Sequence, residues 1–151
     1  PMKAFFLSLA LALACAANAF SEPGDRIFPE KLKDKISIGI GSKCAIEFKR
    51  DGNRLLEPKK TGTPDGKSPF IEVKFEKTGS VIEERPMLML TVQNHFPKAL
   101  LYRAAMRYKG RADYVETSIV PVLAGIVSFE SWVDPIEELV LFDFKLTDKK
   151  F

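Results

Sequence analysis

Apolar and polar side chains alternate along several segments of this chain, and that period of two restricts its fold more than any other feature. In the first such segment the apolar side chains fall on even-numbered positions: Ile36, Ile38, Ile40, Cys44, Ile46 and Phe48. Successive side chains of a β-strand point to opposite faces of the sheet, so this spacing predicts a strand with one buried face. Gly39 and Gly41 interrupt the pattern and predict a bulge or bend within it.

Extended segments continue to the end of the chain. Residues 71–76 alternate in the same way, and residues 87–92 are apolar on both faces, as in the middle of a packed sheet. The remaining predicted strands are residues 100–111, 118–122, 126–133 and 139–146. No segment has the apolar period and the capping residues of a helix.

Residues 57–69 contain three prolines and two glycines without a periodic apolar residue, which predicts a long exposed loop. Seven or eight short strands separated by turns favour an antiparallel two-sheet β-sandwich, with a small barrel as the alternative. We therefore expect an all-β fold in which residues 36–151 form a single β-sandwich domain, after a polar lead-in segment at residues 20–35.

The composition excludes several kinds of site. The 151 residues include two cysteines and one histidine, fewer ligands than a Cys/His zinc centre, an iron–sulfur cluster or a multi-disulfide scaffold requires. We therefore expect no cofactor and no metal. Lys and Arg number 23 against 20 Asp and Glu, and a formal net charge of +3 gives little general attraction to nucleic acid. A nucleic-acid partner is not expected.

Residues 1–19 have the features of a signal peptide. Lys3 precedes an almost uninterrupted apolar run at residues 4–14, and Ala17 and Ala19 are the small residues that a signal peptidase reads. The run is shorter than the roughly 20 residues of a membrane span, and no second one follows. We therefore expect cleavage after Ala19 and an exported protein, periplasmic or extracellular, without a transmembrane segment.

A lipid anchor is the alternative, because Leu11–Cys15 is similar to the sequence at which a cysteine becomes lipidated. The protein would then be a structural protein of the envelope, tethered through Cys15. If cleavage follows Ala19 instead, Cys44 is the remaining thiol. Its place in the alternating pattern predicts a buried small apolar residue rather than a reactive group.

Residues 100–111 combine an apolar face and a basic face. The even positions include Tyr102 and Met106, while the odd positions carry the candidate binding residues Arg103, Arg107, Lys109 and Arg111. Such a face could meet an anionic surface on another exported protein, a glycan or another anionic component of the envelope. The alternative is a solvated face whose arginines pair with glutamates of neighbouring strands.

Few residues offer catalytic chemistry. His95 is the only imidazole, and its turn sequence predicts an exposed turn residue rather than a catalytic base. The acidic pairs open to a glycoside hydrolase are Glu83–Glu84, Glu130 with Asp134, and Glu137–Glu138. Adjacent strand residues point to opposite faces, which argues against two of these pairs. We do not expect an enzyme, with a small carboxylate-dependent hydrolase as the alternative. The Trp132 side chain is expected to fill the end of the core. The alternative is an exposed ring on which a sugar or a partner side chain stacks.

Three short segments are similar to a run found in exported bacterial immunoglobulin-like modules: Leu90–Asn94, Leu101–Ala104 and Ala124–Glu130. In those modules a strand ends in Val-x-Asn, a second strand follows, and a later strand begins after an apolar-x-Gly-x-x turn. The resemblance covers residues 86–146 and implies an immunoglobulin-like sandwich with an adhesion, scaffolding or accessory role. The Cys…Trp…Cys spacing of antibody domains is absent. We therefore expect an exported binding or accessory module of the bacterial cell envelope.

Overall fold

A computed structural model describes residues 24–79, 87–133 and 135–151, and their regular structure is almost entirely β-strand. The strands are β1 (Arg26–Ile27), β2 (Lys35–Gly39), β3 (Ser42–Asp51), β4 (Arg54–Thr61), β5 (Ile71–Thr78), β6 (Met87–Asn94), β7 (Ala99–Tyr108), β8 (Tyr114–Thr117), β9 (Val127–Trp132) and β10 (Ile136–Thr147). One 3₁₀ helix, Pro29–Lys31, follows β1. The all-β prediction is confirmed, with ten strands where seven or eight were expected. The predicted signal peptide, Cys15, Glu83–Glu84 and Asp134 lie outside the described residues.

All ten strands belong to one antiparallel sheet. Its order is β1-β8-β7-β10-β4-β3-β5-β6-β9, and β2 pairs with the first part of β10. The two halves of this order are joined at β10 and β4 through a single residue pair, Lys145 with Arg54. Buried side chains of β2, β7 and β10 pack with those of β3, β5 and β6 in the main core. The sheet is therefore folded over one apolar interior.

The strand predicted from Ile36 to Phe48 consists of two strands, β2 and β3. Gly41, between them, has a φ of +86°, a conformation that glycine adopts without strain. β2 pairs with β10, whereas β3 pairs with β4 and β5. The predicted bend therefore carries the chain from one half of the sheet to the other, with the fully buried Ile38 and Ile46 on either side of it.

β4 occupies the first residues of the segment predicted as an exposed loop. The prediction is wrong for residues 57–61, which extend β4 along β3, and the loop begins at Gly62. Two residues of β4, Glu57 and Pro58, face the single residue Phe48 of β3 in a β-bulge, and Glu57 has a φ of +50°. Pro58 falls within the bulge, where its missing N–H removes no regular bond of the sheet.

The strand predicted at residues 118–122 is displaced towards the N-terminus. β8 ends at Thr117 and pairs with β7 and β1. Within residues 118–122, a single bridge joins Val122 to Leu100. This segment therefore crosses the fold as an irregular connection to β9.

The polar lead-in is part of the packed structure. A second apolar cluster lies on the face of β7 and β10 away from the main core, formed by Ala105, Val140 and Phe142. Ile27 and Leu32 of the lead-in pack against it. Gly24 lies so close to β8 that a Cβ atom there would overlap the carbonyl oxygen of Glu116. The lead-in therefore covers part of the outer surface of β7.

Asn94 ends β6 with a fully buried side chain. Its Nδ2 donates to the carbonyl oxygens of Lys98, Val122 and Leu123 at 2.9, 3.0 and 3.3 Å. Its Oδ1 accepts the N–H of Phe96 at 2.9 Å. One buried amide thereby closes the turn after β6 and fixes the segment that leads to β9, as a satisfied buried polar group can.

Candidate functional site

The four predicted basic residues occupy two different places. β7 ends at Tyr108, so only Arg103 and Arg107 lie on a strand. Lys109 and Arg111 belong to the loop before β8. The prediction of one basic strand face is therefore wrong for Lys109 and Arg111, because the strand ends before these residues.

The arginines of this surface have carboxylate partners. Arg103 bonds Glu116 of β8 through Nε at 2.7 Å and Nη2 at 2.8 Å. Arg111 bonds Asp113 in the same bidentate way, at 2.8 and 3.1 Å. Hydrogen bonds from these guanidinium groups hold the pKa of Glu116 and of Asp113 below the usual range. The arginines of this surface are therefore paired with carboxylates, which is the alternative that the sequence left open. Of the four predicted basic residues, Lys109 alone forms no ion pair with a described residue.

Arg107 brings two neighbouring carboxylates together. Its Nη1 donates to Oε2 of Glu137 at 2.6 Å, and its Nη2 lies 3.4 Å from Oε2 of Glu138. The prediction that these two residues face opposite sides is wrong, because a register shift between Ile136 and Glu138 turns both towards β7. Two carboxylates bound to one cation are poorly placed to serve as the acid and the nucleophile of a glycosidase.

His95 and Trp132 make structural contacts. The His95 ring stacks on Phe70 with centroids 4.4 Å apart, and its Nε2 lies 2.9 Å from Oε2 of Glu72. His95 is exposed in a turn, as predicted. Trp132 packs against the main core, as predicted, and its Nε1 donates to the hydroxyl of Thr117 at 3.1 Å.

β9 also directs polar side chains into the interior. Oε1 of Glu130 accepts the N–H of Val120 at 2.9 Å, and burial raises the pKa of the Glu130 carboxyl. Burial likewise raises the pKa of Tyr102. The hydroxyls of Tyr102 and Ser128 are buried without a hydrogen-bond partner in the described part of the chain. Because these oxygens are closed off from solvent, this cluster offers no open binding site.

A groove of about 390 Å³ lies on the outer face of β3, β5 and β6. Its floor consists of two rows of residues that pair across the three strands, Lys43–Lys74–Thr91 and Ala45–Glu72–Gln93. Gly62 and Pro64, in the loop of residues 62–70, form its wall. The loop is tied to β3 because the N–H of Asp65 donates to Oε1 of Glu47 at 3.4 Å.

Two lysines face each other on this floor. Lys43 and Lys74 are directly opposite in the antiparallel pair of β3 and β5, a position in which Cβ atoms are about 5 Å apart and like charges destabilise the sheet. The ammonium group of Lys74 lies 2.9 Å from Glu76. Lys43 forms no ion pair with any described residue. An anion bound between the two lysines would relieve their repulsion.

The other side chains of the floor are hydrogen-bonding groups. Thr91 and Gln93 make no side-chain hydrogen bond with a residue that the structure describes, and Glu72 adds a carboxylate. Phe129 of β9 lies opposite Thr91 and extends the row of Lys43 with a ring that is 63% exposed. The outer face therefore offers cationic, donor, acceptor and aromatic surface side by side.

The sequence does not reveal this groove. Alternation marks Lys43 and Lys74 as outward-facing residues of two separate strands, but only the register between β3 and β5 makes them neighbours. No local motif specifies that register. The sequence of the loop that forms the wall does not predict that it packs beside β3.

Comparisons of the chain with protein-family models, with curated proteins and with solved structures gave no match. No helix within the described ranges is long and apolar enough to cross a bilayer. Among the same residues, no group of three or more His, Cys, Asp and Glu side chains is arranged to hold a metal ion.

Proposed function

We propose that the protein is a non-catalytic binding module that takes an acidic saccharide in the groove on β3, β5 and β6. The observation that carries the proposal is the direct opposition of Lys43 and Lys74 on the groove floor. Lys74 is shared with Glu76, but Lys43 forms no ion pair with a described residue, so its ammonium group is open to a carboxylate. Charge-assisted hydrogen bonds to an anion are stronger than neutral ones.

The saccharide is favoured over a simple anion by the neighbouring side chains. Sugar hydroxyls both donate and accept hydrogen bonds, and Thr91, Gln93 and Glu72 present both kinds of group beside the lysines. Phe129 offers an exposed apolar ring in the same row. At about 390 Å³ the groove has the size of a small-molecule site, for which roughly 300–1,000 Å³ is usual.

The proposal includes export to a bacterial cell envelope and an immunoglobulin-like sandwich. The signal-peptide pattern of residues 1–19 supports export. A sheet folded over one core, with its halves joined at a single residue pair, is consistent with two facing layers. The buried Asn94 at the end of β6 has the place that the Val-x-Asn resemblance implies. Binding and accessory roles are the functions that this resemblance favours.

The other candidate sites fit an anionic partner or a catalytic reaction less well. Arg103 and Arg111 are engaged by carboxylates of their own surface, so that face has little free positive charge. Glu137 and Glu138 are bound to Arg107, which disfavours the hydrolase alternative. A lipid anchor at Cys15 would be compatible with the same groove.

Calorimetric titration with an oligogalacturonate tests the proposal. We expect the wild type to bind it, and the affinity to fall at least about tenfold for Lys43→Gln and for Lys74→Gln, since each change removes a charged hydrogen-bond donor. Lys145→Gln, which changes an exposed lysine of β10, is the matched control and keeps the wild-type affinity. A neutral dextran oligosaccharide of similar length is expected to bind at least tenfold more weakly. Failure of the oligogalacturonate to bind, or equal binding by all three variants, overturns the proposal.

A further inference from the structure

The surface around β9 is rich in exposed apolar side chains. Six large apolar residues in this part of the chain are between 37% and 63% exposed: Val120, Leu123, Ile126, Val127, Phe129 and Val133. The outward side chains of β9 itself are those of Val127, Phe129 and Ser131, none of them charged. Soluble proteins usually protect an edge strand with charges, proline or a covering segment. The outward face of β9 has no charged residue or proline for this purpose.

The backbone of β9 is free along one side. β9 pairs with β6 and with no other described strand. The N–H of Asn94 in β6 donates to the carbonyl oxygen of Ile126. In an antiparallel pair alternate residues share these bonds, so Val127, Phe129 and Ser131 direct their N–H and C=O groups away from β6. They form a short template for one more strand.

The opposite edge of the sheet is closed to such pairing. β1 has two residues, and one of them, Arg26, lies 3.7 Å from Asp113. A short, charged edge strand is a poor template. β1 therefore offers β9 of a second molecule little to pair with, whereas a two-fold axis would bring together the β9 edges of two copies and close the assembly at a dimer.

We propose that β9 pairs with β9 of a second copy, antiparallel about a two-fold axis at Phe129, to form a homodimer. In this register Val127 faces Ser131 of the partner subunit, and Phe129 faces Phe129 of the partner subunit. All three outward N–H and C=O groups of each copy are then bonded. The two aromatic rings lie side by side on the outer face, where cross-strand aromatic pairs stabilise a sheet.

The apolar area fits a dimer that dissociates reversibly. If all six side chains enter the contact, and each offers about 150 Å², the lower end of the range for an aromatic side chain, their exposed parts amount to roughly 500 Å² per copy. Two copies would bury about 1,000 Å², which is the lower limit for a specific interface. Since no outward side chain of β9 is charged, repulsion between like charges does not oppose the pairing.

Sedimentation of the purified protein over a range of concentrations tests the association. We expect a monomer–dimer equilibrium for the wild type and a dissociation constant at least tenfold higher for Phe129→Lys, which places two like charges opposite each other. The matched control Phe151→Lys changes a C-terminal side chain of similar exposure, 59%, that lies outside β9, and leaves the equilibrium unchanged. A wild type that stays monomeric at all concentrations overturns the proposal.

Cross-linking tests the register, with Cys15→Ser and Cys44→Ser as the background. Facing Cα atoms in a bonded antiparallel pair are about 5.5 Å apart, within the usual disulfide range. Phe129→Cys alone is therefore expected to oxidise to a covalent dimer. Ser131→Cys alone is not, but an equal mixture of Val127→Cys and Ser131→Cys proteins is. If Phe129→Cys cross-links no faster than Ser131→Cys, this dimer does not form.

Discussion

The indole N–H of Trp132 in β9 donates a 3.1 Å hydrogen bond to the hydroxyl of Thr117 in β8. β9 is the last strand of the sheet and β8 lies next to the first. The contact therefore joins opposite ends of a sheet whose halves share few backbone bonds. Glu130, two residues earlier in β9, reaches the N–H of Val120 on the same side. At this place β9 is joined to β8 and to the segment after it by side-chain hydrogen bonds and not by backbone pairing.

Trp132→Phe should weaken this closure. It removes the donor and part of the buried aromatic surface, and we expect the free energy of unfolding to fall by about 1–3 kcal/mol in urea denaturation. Thr117→Val removes the acceptor alone and is expected to lower it by about 1 kcal/mol. In the double variant the two losses should not add, because both changes remove one hydrogen bond. Full additivity would mean that the bond contributes nothing.

Asn94→Ala should be among the most destabilising single changes. It leaves the N–H of Phe96 and the carbonyl of Val122 without their partner in a buried place, and each such group raises the free energy of the fold by about 1–3 kcal/mol. We expect a loss of about 3 kcal/mol or more in urea denaturation. The adjacent, partly exposed Gln93→Ala serves as the control and should change stability by less than about 0.5 kcal/mol. Similar effects of the two changes would contradict a structural role for the Asn94 amide.

Glu130 should make stability depend on pH. Burial raises the pKa of its carboxyl above the ordinary value of 4.5, so the folded protein binds this proton more tightly than the unfolded chain does. The group therefore favours folding at low pH, and this contribution is lost as the pH rises through the raised pKa. Glu130→Gln should therefore gain stability relative to wild type as the pH rises above the ordinary carboxyl pKa of 4.5, as measured by chemical denaturation. Asp113 and Glu116 have lowered pKa values, so their contribution to stability is lost as the pH falls. This contribution is the same in wild type and variant, and it cancels when the two free energies of unfolding are subtracted. A difference that does not change with pH would be inconsistent with a desolvated carboxyl.

Arg103→Glu should lower the melting temperature. It would place a carboxylate against Glu116 and remove the guanidinium from the face of the Phe142 ring, 5.0 Å away. We expect a loss of about 1 kcal/mol, as for an exposed ion pair with a cation–π contact. Exchange of both charges, Arg103→Glu with Glu116→Arg, should recover most of it. No recovery would show that the pairing across β7 and β8 is unimportant.

Lys43→Glu should stabilise the protein while it abolishes saccharide binding. The change replaces a repulsive pair with an attractive one opposite Lys74, a difference of about 0.5 kcal/mol in the sheet. Thermal unfolding without ligand measures the first effect and titration the second. Lower stability would contradict the register of β3 against β5. Higher stability with intact binding would place the saccharide elsewhere.

Alternation is a good guide to strands whose two faces differ. β5 is buried at Ile71, Val73 and Phe75 and exposed between them, and its prediction is confirmed. β4 escapes detection because Pro58 and two lysines resemble a loop, while the bulge that accommodates the proline depends on the facing strand. β1 escapes because a strand of two residues has no period at all.

In the candidate sites, too, features within one strand can be read from the sequence, whereas contacts with a neighbouring strand cannot. The sequence singles out Arg103 and Arg107 because they lie on one strand, but it does not show that Glu116 and Glu137 approach them from other strands. The lysine pair of the groove depends on a register between separate strands, which no local pattern contains. Properties within one strand were therefore predictable, and contacts between strands were not.

The junction at Lys145 and Arg54 has a mechanical consequence. Since the halves of the sheet meet there through one residue pair, force applied across the molecule is borne by apolar packing rather than by a ladder of backbone bonds. Apolar contact is non-directional, so each half can tilt a little before any strand separates from its neighbour. A force that pulls the two halves apart would therefore separate them from each other before it separates the strands within either half.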